Sequence, residues 1–328
     1  MKKFIVTGGA GFIGSNFINY LRNNEENYIT NVDKLSYGSN LGNIEISSNR
    51  YKFIRKSIGD ELIDIIDDTD YIINFAAESH VDRSIANPES FVRENINGVL
   101  NLLENIRKSK NDPILINIGT DEEYGDIIND SFSEDDMLKP SSPYSASKAS
   151  SSLLALSYFR TYGIKTIVTR TSNNFGKYQF PEKLIPKTII RNLLHLDIQL
   201  YGNGENTRDW IYVIDNVKAI LTVLNKGKYG EIYNISSSNE LKNVDIVNRI
   251  FDIMDMKGKI NYVSDRPGHD VRYSINANKV KNLGWKPEYN FDDALKLTIE
   301  WYINNEKWWR SLIGNNTLSE EPWKLKWD

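Results

Sequence analysis

Three consecutive carboxylates, Asp121, Glu122 and Glu123, are separated by two residues from the preceding hydrophobic run ILINI, which is typical of a buried strand. Charged groups are costly to place beside apolar surroundings unless something there requires them. Carboxyl groups at the end of a strand can donate and accept protons in a reaction. The alternative is a solvated acidic loop. The segment GTDEEYG therefore marks a candidate site for acid/base chemistry.

A tyrosine and a lysine in SPYSASK form a second candidate pair. Tyr144 and Lys148 are four residues apart in a helix predicted from Pro143 to Tyr162, so they share one face, about one turn apart. Free tyrosine has a pKa of about 10 and is a poor base near neutrality. Positive charge from Lys148 would favour the phenolate. Because such pairs also arise by chance, the interpretation depends on the segments around them.

The N-terminal segment predicts a phosphate-binding turn. A strand from Lys2 to Thr7 is followed by GGAGFIGSNFINYL, whose apolar residues recur at helical spacing. Gly8, Gly11 and Gly14 fit G-x-x-G-x-x-G, and Gly9 with Gly11 and Gly14 also fits G-x-G-x-x-G. Glycine permits a tight turn and a close approach to a pyrophosphate, which the positive end of the next helix attracts. A purely structural turn is the alternative.

A second strand, Tyr28 to Val32, ends at Asp33, 19 residues after Gly14. A carboxylate there accepts hydrogen bonds from the adenosine ribose and would repel the 2′-phosphate of NADP. The sequence therefore favours NAD, although Asp33 could instead cap a turn. An oxidised nicotinamide ring would add its positive charge to that of Lys148 in favouring the phenolate of Tyr144.

The remaining elements predict an α/β fold, a doubly wound parallel sheet of the Rossmann type with a smaller C-terminal α/β region. Strands and helices alternate up to a strand at 165–170, and a long helix is predicted from Pro88 to Arg107. We expect an NAD-binding domain at 1–175 and a mainly substrate-binding domain at 176–328. The boundary is soft, because parts of 208–225 could return to the first sheet.

Composition excludes several classes of function. The net charge of −4, with no long block of one sign, does not fit a nucleic-acid-binding protein. There is no cysteine, and His80, His195 and His269 lack the spacing of metal ligands, so no metal is expected. We expect His80 and His269 to form hydrogen bonds near a ligand and His195 to lie at a helix end. Without a signal-like or membrane-spanning run, a cytoplasmic location without membrane association is the default expectation.

Taken together, these segments resemble the extended short-chain dehydrogenases/reductases. The resemblance extends from Met1 to about Trp301, and several segments are typical of the branch that acts on dTDP-glucose by 4,6-dehydration. The matching segments are TGGAGFIGS, NVDKLSYGSN, AAESHVDRSI, TDEEYGD, PSSPYSASKASS, SNNFGKYQFPEKLIP, YGNGENTRDWIYV and DRPGHDVRYSI.

The resemblance implies a lyase of deoxysugar biosynthesis that recycles NAD. Tyr144, with Lys148, would take the proton of the 4-hydroxyl as carbon 4 is oxidised, and Thr120 would position the 4-oxygen. Glu122 would remove the carbon 5 proton as base. Asp121 would protonate the departing 6-hydroxyl as acid, and reduction at carbon 6 would complete the reaction. Adjacent negative charges favour this division of roles, because they raise one carboxyl pKa.

The same resemblance implies two sets of binding residues. Those for NAD are Gly8, Gly11, Phe12, Ile13, Gly14, Asp33, Lys34, Leu35, Ser36, Ser57, Ile58, Ala76, Ala77, Glu78, Ser79, Tyr144, Lys148 and Asn174. Those for the sugar nucleotide are Ser84, Thr120, Asn173, Lys183, Leu184, Arg208, Asn243 and Arg272. The two arginines suit a diphosphate, although salt bridges to Asp209 or Asp270 are the alternative.

Two positions depart from the family pattern. Glu123 stands where an apolar residue is usual, so it would raise a neighbouring pKa or point to solvent, and Ser57 stands where an Asp near the adenine is usual. The resemblance also implies a homodimer formed by the helices 88–107 and 143–162. The Trp-rich tail, with Trp301, Trp308, Trp309, Trp323 and Trp327, suggests docking onto a surface.

Other functions remain open. A 4,6-dehydratase for a UDP or GDP sugar would share these motifs, and a 4-epimerase would share the Thr, Tyr and Lys but has no use for Asp121 and Glu122. A non-catalytic NAD-sensing protein would be expected to lack Tyr144 or Lys148.

Overall fold

The structure, a computed structural model, describes residues 1–45, 48–314, 317–319 and 321–325 of the 328-residue chain. Its centre is a seven-stranded parallel sheet of β1 (Lys2–Thr7), β2 (Asn27–Val32), β3 (Tyr51–Ile54), β4 (Tyr71–Asn74), β5 (Ile114–Thr120), β6 (Thr166–Thr171) and β10 (Ile232–Ile235). The strand order is β10-β6-β5-β4-β1-β2-β3. Because the order reverses between β1 and β4, the carboxyl ends of these strands border the crevice that such sheets use for ligands.

Helices cover both faces of this sheet, as α1 (Phe12–Leu21), α2 (Ile63–Ile66), α3 (Val81–Ala86), α4 (Pro88–Phe91), α5 (Gly98–Lys108), α6 (Pro143–Tyr162), α8 (Val213–Lys226) and α10 (Asn278–Asn282). On one face, Phe17 and Ile18 of α1 pack with Ile220 of α8. On the other, Leu102 of α5 packs with Tyr158 of α6. The prediction of a doubly wound α/β sheet is confirmed.

The helix predicted at 88–107 contains an irregularity. A π-helical stretch, Val92–Asn97, separates α4 from α5, and the short α3 before it was not predicted. The side chain of Asn95 in this stretch binds both backbone groups of Glu78 and the hydroxyl of Ser147. The π-helical stretch therefore places Asn95 between the turn after β4 and α6. Short π-helical segments are frequent at functional sites.

The C-terminal part of the chain forms two small sheets and further helices. One sheet contains β7 (Asn173–Phe175), β9 (Thr207–Tyr212) and β11 (Glu240–Lys242), and the other β8 (Ile198–Tyr201) and β12 (Ile260–Val263). Around them lie α7 (Leu184–Leu193), α9 (Asn243–Met254), α11 (Phe291–Asn304) and α12 (Glu306–Arg310). A separate apolar cluster, with Ile189, Trp210, Ile250 and Leu295, holds this region together.

The chain returns to the first sheet after residue 176. Within 208–225, strand β9 pairs with β7 and β11, whereas α8 packs against α1 and leads to β10, which pairs with β6. Val280 of α10 also belongs to the apolar cluster of the first sheet. Helices α8 and α10 and strand β10 therefore pack with the first sheet, so part of the chain after residue 175 returns to it, as the soft boundary allowed.

The C-terminal segment packs against the molecule at several points. Trp308 lies edge-on to Tyr178 and donates its indole N–H to Asn43 Oδ1 at 2.8 Å. Trp309 is buried, and Trp323 lies edge-on to Tyr201. Trp327 lies outside the described residues. Within the described ranges, no helix combines the length and apolar character needed to cross a membrane.

Candidate active site

The turn after β1 is shaped to accept a phosphate group. Gly8 has a φ of +67°, and a Cβ atom there would lie 2.6 Å from the Ala76 backbone N. A Cβ atom at Gly14 would lie 2.4 Å from the Gly8 carbonyl oxygen. Helix α1 begins at Phe12, and no described side chain caps its N-terminus. This turn therefore fits the pyrophosphate of a dinucleotide, because glycines clear the approach and the N-terminus of α1 has no side-chain cap among the described residues.

Asp33 lies at the end of β2 and is buried against the glycine turn. Its Oδ2 accepts a hydrogen bond from the Ala10 N–H at 3.0 Å, and its Oδ1 accepts from the Leu35 N–H at 2.7 Å and the Ser39 hydroxyl at 3.1 Å. The carboxylate also lines the adjoining cavity. Asp33 therefore caps the turn, which was the alternative role considered from the sequence. It also faces the space where an adenosine ribose is expected.

One cavity of about 300 Å³ lies at the carboxyl ends of the central strands. It is lined by every predicted catalytic residue, Thr120, Asp121, Glu122, Tyr144 and Lys148. The predicted binding residues in its lining are Gly8, Gly11, Phe12, Ile13, Gly14, Asp33, Lys34, Ser36, Ser57, Ile58, Ala76, Ala77, Glu78, Ser79, Asn173, Asn174 and Lys183. Those outside its lining are Leu35, Ser84, Leu184, Arg208, Asn243 and Arg272.

Helix α6 starts beside this cavity and presents Tyr144 and Lys148 to it. Ser142 and Ser145 cap the helix reciprocally, which fixes its first turn. Lys148 donates from Nζ to the carbonyl oxygen of Ile118 at 2.5 Å. Burial lowers the pKa of Lys148 to about 8, and the charge of Glu123 acts in the opposite direction. The ammonium group is thus held against the end of β5, with its pKa near neutrality.

The phenol of Tyr144 lies among carboxyl groups. Burial, and then the charges of Glu122, Glu123 and Asp121, raise the pKa of Tyr144 well above 10, while a hydrogen bond with Thr120 lowers it. The protonated phenol is therefore the favoured form in this protein environment. A positively charged ring bound in the cavity would act in the opposite direction.

Asp121 and Glu122 have unequal surroundings. They lie in a 3-10 turn, Asp121–Glu123, that Thr120 caps. Burial, then Glu122 and Asp209, raise the pKa of Asp121 well above its usual value, and its Oδ2 is buried with no hydrogen-bond partner among the described residues.

Glu122 also has a pKa raised by burial, but three cations oppose that effect. Arg266, Arg208 and Lys183 act to lower its pKa. Asp121 is therefore the carboxyl that holds a proton more firmly, and Glu122 is the one more easily ionised. This division matches an acid beside a base.

Arg266 was not among the predicted site residues, although it lies in DRPGHDVRYSI. It is largely buried, and its Nη1 pairs with Asp82 Oδ1 at 3.0 Å. Asp82 also accepts a hydrogen bond from the hydroxyl of Tyr201 at 2.9 Å. The sequence shows that this segment contains an arginine. It does not show that the arginine lies near Glu122, because the two residues are 144 positions apart.

A second group of buried polar residues lines the cavity near Lys183. The Tyr37 hydroxyl donates to Glu182 Oε2 at 2.7 Å, and His80 Nε2 lies 3.6 Å from the same oxygen. Burial raises the pKa of Glu182 to about 7 and lowers the pKa of His80 well below 6.5. Lys183 donates from Nζ to the Ser79 carbonyl at 3.1 Å. Sequence reasoning anticipated a hydrogen-bonding role for His80 but not one for Tyr37 or Glu182.

The other two histidines differ in setting. His269 Nδ1 lies 2.6 Å from Asp265 Oδ1, and burial followed by Arg266 and Arg208 lowers the pKa of His269 to about 4. His195 follows α7 with a φ of +55°. Within the described part of the chain, no group of three or more histidine or carboxylate side chains could hold a metal ion.

The predicted residues outside the cavity lining have other partners. The Ser84 hydroxyl donates to the Val81 carbonyl at 2.6 Å, and Leu184 is the first residue of α7. Arg208 stacks on Tyr273 and donates to the Asp270 carbonyl at 2.8 Å, not to a carboxylate.

Arg272 is held mainly by protein groups. It forms an ion pair with Glu240 at 2.7 Å and donates to the Asp130 carbonyl at 3.0 Å. Arg272 therefore forms a salt bridge, which was the alternative considered from the sequence, but its partner is Glu240 and not Asp270. Leu35 adopts a φ of +60° and contributes its backbone N–H to Asp33. Asn243 Oδ1 is buried and has no hydrogen-bond partner within the described residues.

Comparison with known proteins gives relatives over nearly the whole chain. The model of a family described as GDP-mannose 4,6 dehydratase matches residues 5–298. A dTDP-glucose 4,6-dehydratase of Escherichia coli is 44% identical, over 97% of this chain and 98% of its own length. The low-salt glycan biosynthesis protein Agl12 of Haloferax volcanii is 45% identical, over 92% of this chain and 99% of its own length.

Solved structures give the same similarity in three dimensions. The dTDP-glucose 4,6-dehydratase DesIV of Streptomyces venezuelae, solved with NAD and dTDP bound, has a TM-score of 0.91 and 38% identity, covering 95% of this chain and 100% of that one. The UDP-glucuronic acid 4-epimerase of Bacillus cereus, solved with UDP-glucuronic acid and NAD, has a TM-score of 0.88 and 26% identity. The match covers 92% of this chain and 99% of that one.

Proposed function

The chain belongs to the dTDP-glucose 4,6-dehydratases of the extended short-chain dehydrogenases/reductases, and on that premise we propose how its residues carry out the reaction. It is an NAD-dependent lyase that converts dTDP-glucose to dTDP-4-keto-6-deoxyglucose. Bound NAD⁺ accepts hydride from carbon 4 and later returns it to carbon 6. The protein must therefore bind both molecules, remove and supply protons at defined atoms, and exclude water.

We propose that Tyr144 takes the proton of the 4-hydroxyl. The phenol shares the cavity with Thr120, whose hydroxyl acts to lower the pKa of the phenol and can also hold the 4-oxygen. Lys148 is buried four residues later on α6 and holds an ammonium group against the end of β5. This positive charge, with that of the nicotinamide, would stabilise the phenolate against the surrounding carboxylates.

The observation that carries the proposal is the unequal surroundings of Asp121 and Glu122. A 4-ketone acidifies the carbon 5 proton, so the elimination needs one ionised carboxyl and one protonated carboxyl. Glu122, near three cations, removes the carbon 5 proton, and Asp121, beside two carboxyls, protonates the departing 6-oxygen. Both residues line the same cavity as Tyr144.

The cavity suggests where the two ligands lie. The glycine turn and Asp33 would hold the dinucleotide, and Asn173 and Lys183 would contact the sugar nucleotide. Both Asn173 and Asn174 have buried side-chain oxygens with no partner among the described residues, as expected of groups that bind a ligand. Arg208 would contribute charge near the acid/base pair. We retain the two-domain division as a proposal, with α8, β10 and α10 assigned to the NAD-binding part.

A 4-epimerase is the second candidate, because epimerases of 26% identity share the fold. An epimerase returns hydride to carbon 4 and needs no elimination. Two carboxyls with separated pKa values beside the phenol favour the dehydratase. A dehydratase for a UDP or GDP sugar differs only in the nucleobase. A non-catalytic NAD-sensing protein would have no need of Tyr144 and Lys148 in this cavity.

Product analysis tests the function. The purified holoenzyme is incubated separately with dTDP-, UDP- and GDP-hexoses, and each product is identified by mass. We expect loss of one water from dTDP-glucose without added NAD, because the cofactor is regenerated in each cycle. A product of unchanged mass with inverted carbon 4 would indicate an epimerase, and turnover of UDP- or GDP-glucose alone would reassign the substrate.

A homodimer and a cytoplasmic location are further proposals. Exposed apolar side chains on the segment 92–108 and on α6, namely Val92, Leu100, Leu153 and Tyr162, suit a helical interface with a second copy. Light scattering should give a mass near twice the 37.8 kDa of the chain. A cytoplasmic location would place the enzyme with its nucleotide-sugar substrate and with NAD, and cell fractionation tests it.

A further inference from the structure

Glu123, the third carboxylate of the acidic segment, is fully buried and ion-paired. Its Oε2 lies 2.7 Å from Nε of Arg170, a residue of β6 that is also buried. Its Oε1 accepts hydrogen bonds from the Thr120 N–H at 3.1 Å and from the Ser152 hydroxyl at 2.9 Å. One side chain therefore joins the end of β5, the middle of α6 and the neighbouring strand β6.

The surrounding chain provides space for this carboxyl group. A Cβ atom at Gly119 would lie 2.4 Å from Glu123 Oε1 and 2.9 Å from the Thr169 carbonyl oxygen. Any larger residue at Gly119 would displace the carboxyl from this position. Arg170 is stacked on the ring of Tyr124 at 4.5 Å, and the Tyr124 hydroxyl donates to Asn234 Oδ1 at 2.9 Å. The ion pair is therefore part of a packed arrangement.

The residues that Glu123 holds are close to the chemistry. Thr120 is the residue that we assign to the 4-oxygen of the sugar. Ser152 continues the row Tyr144, Lys148, Ser152 at intervals of four residues, so these three side chains share one face of α6. A shift of Glu123 would therefore change the distance between the strand end and the helix that together form the catalytic group.

We propose that Glu123, fixed by Arg170, is a positioning residue that connects Thr120 to the face of α6 carrying Tyr144 and Lys148. This inference rests on the proposed function of the same cavity. It goes beyond that function by assigning a role to a carboxylate that takes no proton from the substrate. The charge of Glu123 also acts on the two residues that it positions.

The direction of that electrostatic effect follows from the groups present. The charge of Glu123 acts to raise the pKa of Lys148, against the effect of burial. Around Tyr144, Glu123 acts with Glu122 and Asp121, and all three raise the pKa of the phenol. Removing the charge of Glu123 should therefore lower both pKa values.

The primary experiment measures Tyr144 directly in the holoenzyme. Phenolate absorbance is titrated in the wild type and in Glu123→Gln, each against the same protein carrying Tyr144→Phe, so that the difference reports Tyr144 alone. We expect the pKa of Tyr144 to fall by about half a unit or more in Glu123→Gln. Because this readout needs no turnover, it tests Glu123 even if the dTDP-glucose assay of the wild type fails.

Activity gives the second readout. With dTDP-glucose, we expect turnover of Glu123→Gln to fall by roughly tenfold to a hundredfold, and both limbs of its pH profile to move to lower pH. Glu123→Asp retains the charge, so both limbs of its pH profile should return to their wild-type positions. Its turnover should recover only in part, because the shorter side chain reaches Thr120 and Ser152 less well.

A matched control is available in Asp215, a buried carboxylate in α8. It accepts hydrogen bonds from the backbone N–H groups of Glu288 at 3.0 Å and Tyr289 at 3.1 Å, and it does not line the cavity. Asp215→Asn should reduce stability without moving the titration of Tyr144. If Glu123→Gln behaves like Asp215→Asn, with lower stability and an unchanged Tyr144 pKa, the role of Glu123 is structural and the proposal is wrong.

A double variant covers failure of Glu123→Gln to fold. Replacing a buried ion pair by apolar residues is often neutral for stability. We therefore expect Glu123→Val with Arg170→Met to fold. Its basic limb should still move to lower pH, because the charge of Glu123 acts to raise the pKa of Lys148. An unchanged limb in this folded variant would also contradict the proposal.

Discussion

Asp121 and Glu122 are adjacent in the chain, but the charged groups that act most strongly on their carboxyls differ in sign. Asp121 lies near the carboxyls of Glu122 and Asp209, whereas Glu122 lies near the guanidinium groups of Arg266 and Arg208. Like charges disfavour ionisation and opposite charges favour it. One turn of chain therefore carries one carboxyl suited to act as an acid and one suited to act as a base.

This difference predicts distinct defects for Asp121→Asn and Glu122→Gln. Both variants should lose about 10²- to 10⁴-fold in overall turnover, because each lacks one proton-transfer group, and both should accumulate NADH after the first oxidation. In D₂O, Asp121→Asn should incorporate deuterium at carbon 5, since Glu122 still removes that proton. Glu122→Gln should show no such incorporation.

Mass analysis of recovered substrate measures this exchange. Borohydride added at the NADH stage would trap the 4-ketone and confirm that both variants complete the first step. The wild type is the positive control for elimination, and Tyr144→Phe should neither form NADH nor exchange carbon 5. Equal deuterium incorporation in Asp121→Asn and Glu122→Gln would contradict the assignment of acid and base.

A second prediction concerns pH and Lys148. Because burial lowers the pKa of Lys148 to about 8, the ammonium charge that supports the phenolate disappears as pH rises through that region. The wild-type profile of kcat/KM should therefore have a basic limb at about pH 8 or below, since NAD⁺ adds another positive charge. Lys148→Arg should be slower but should keep its charge, and lose this limb.

Initial rates from pH 6 to pH 10 test this prediction. Lys148→Met provides the comparison, because it lacks the charge at every pH and should be slow throughout. A basic limb that persists unchanged in Lys148→Arg would have to come from another group.

The sequence predicted the features of the site that depend on short stretches of chain. The glycine turn, Asp33 and the pair Tyr144 and Lys148 each lie within one strand, turn or helix, so spacing alone places their side chains together. The structure brings all of them to one cavity. The strands of the sheet up to β6 were predictable for the same reason, because strands and helices alternate along the chain as far as β6.

The features that sequence reasoning missed depend on distant segments. Strand β10 joins the first sheet beside β6, although 60 residues lie between the end of β6 at Thr171 and the start of β10 at Ile232. Glu123 was expected either to raise the pKa of a neighbour or to point to solvent. It is in fact buried against Arg170, 47 positions later, while its charge raises the pKa of Tyr144. No local pattern identifies such a partner.

A third prediction uses the pH dependence of stability. Burial raises the pKa of Glu182 to about 7, above the usual 4.5, so the folded protein binds this proton more tightly than the unfolded chain does. The free energy of unfolding should therefore fall as pH rises from about 4.5 to about 7, by up to about 3 kcal/mol. Glu182→Gln, which cannot ionise, should make this slope shallower, while Asp121 and Glu122, whose pKa values are also raised, keep their own contributions.

Chemical denaturation at pH 5 and pH 8 measures the slope, and Glu45 supplies a control of opposite sign. Its pKa is lowered because Lys177 and Tyr178 bind the carboxylate more strongly than burial opposes it. Its contribution to stability is present at pH 5 and above and is lost at lower pH. Glu45→Gln should therefore leave the change between pH 5 and pH 8 intact. The same slope in wild type and Glu182→Gln would refute the role of Glu182.

The fourth prediction concerns the C-terminal segment. Trp309 is 1% exposed, packs in the apolar cluster of the C-terminal region and donates its indole N–H to the Tyr302 carbonyl at 2.9 Å. Trp309→Ala should lower the free energy of unfolding by about 3–5 kcal/mol, because it leaves a cavity and an unpaired carbonyl. The exposed neighbour in Lys307→Ala should change stability by less than about 0.5 kcal/mol.

Denaturant unfolding of the two variants beside wild type gives these values. The fluorescence of Trp309 itself is lost in the variant, so circular dichroism should follow the transition. If Trp309→Ala is as stable as Lys307→Ala, the segment after α11 does not stabilise the fold. If instead it unfolds at lower denaturant with bound NAD retained below the transition, the segment supports the C-terminal region without forming part of the cofactor site.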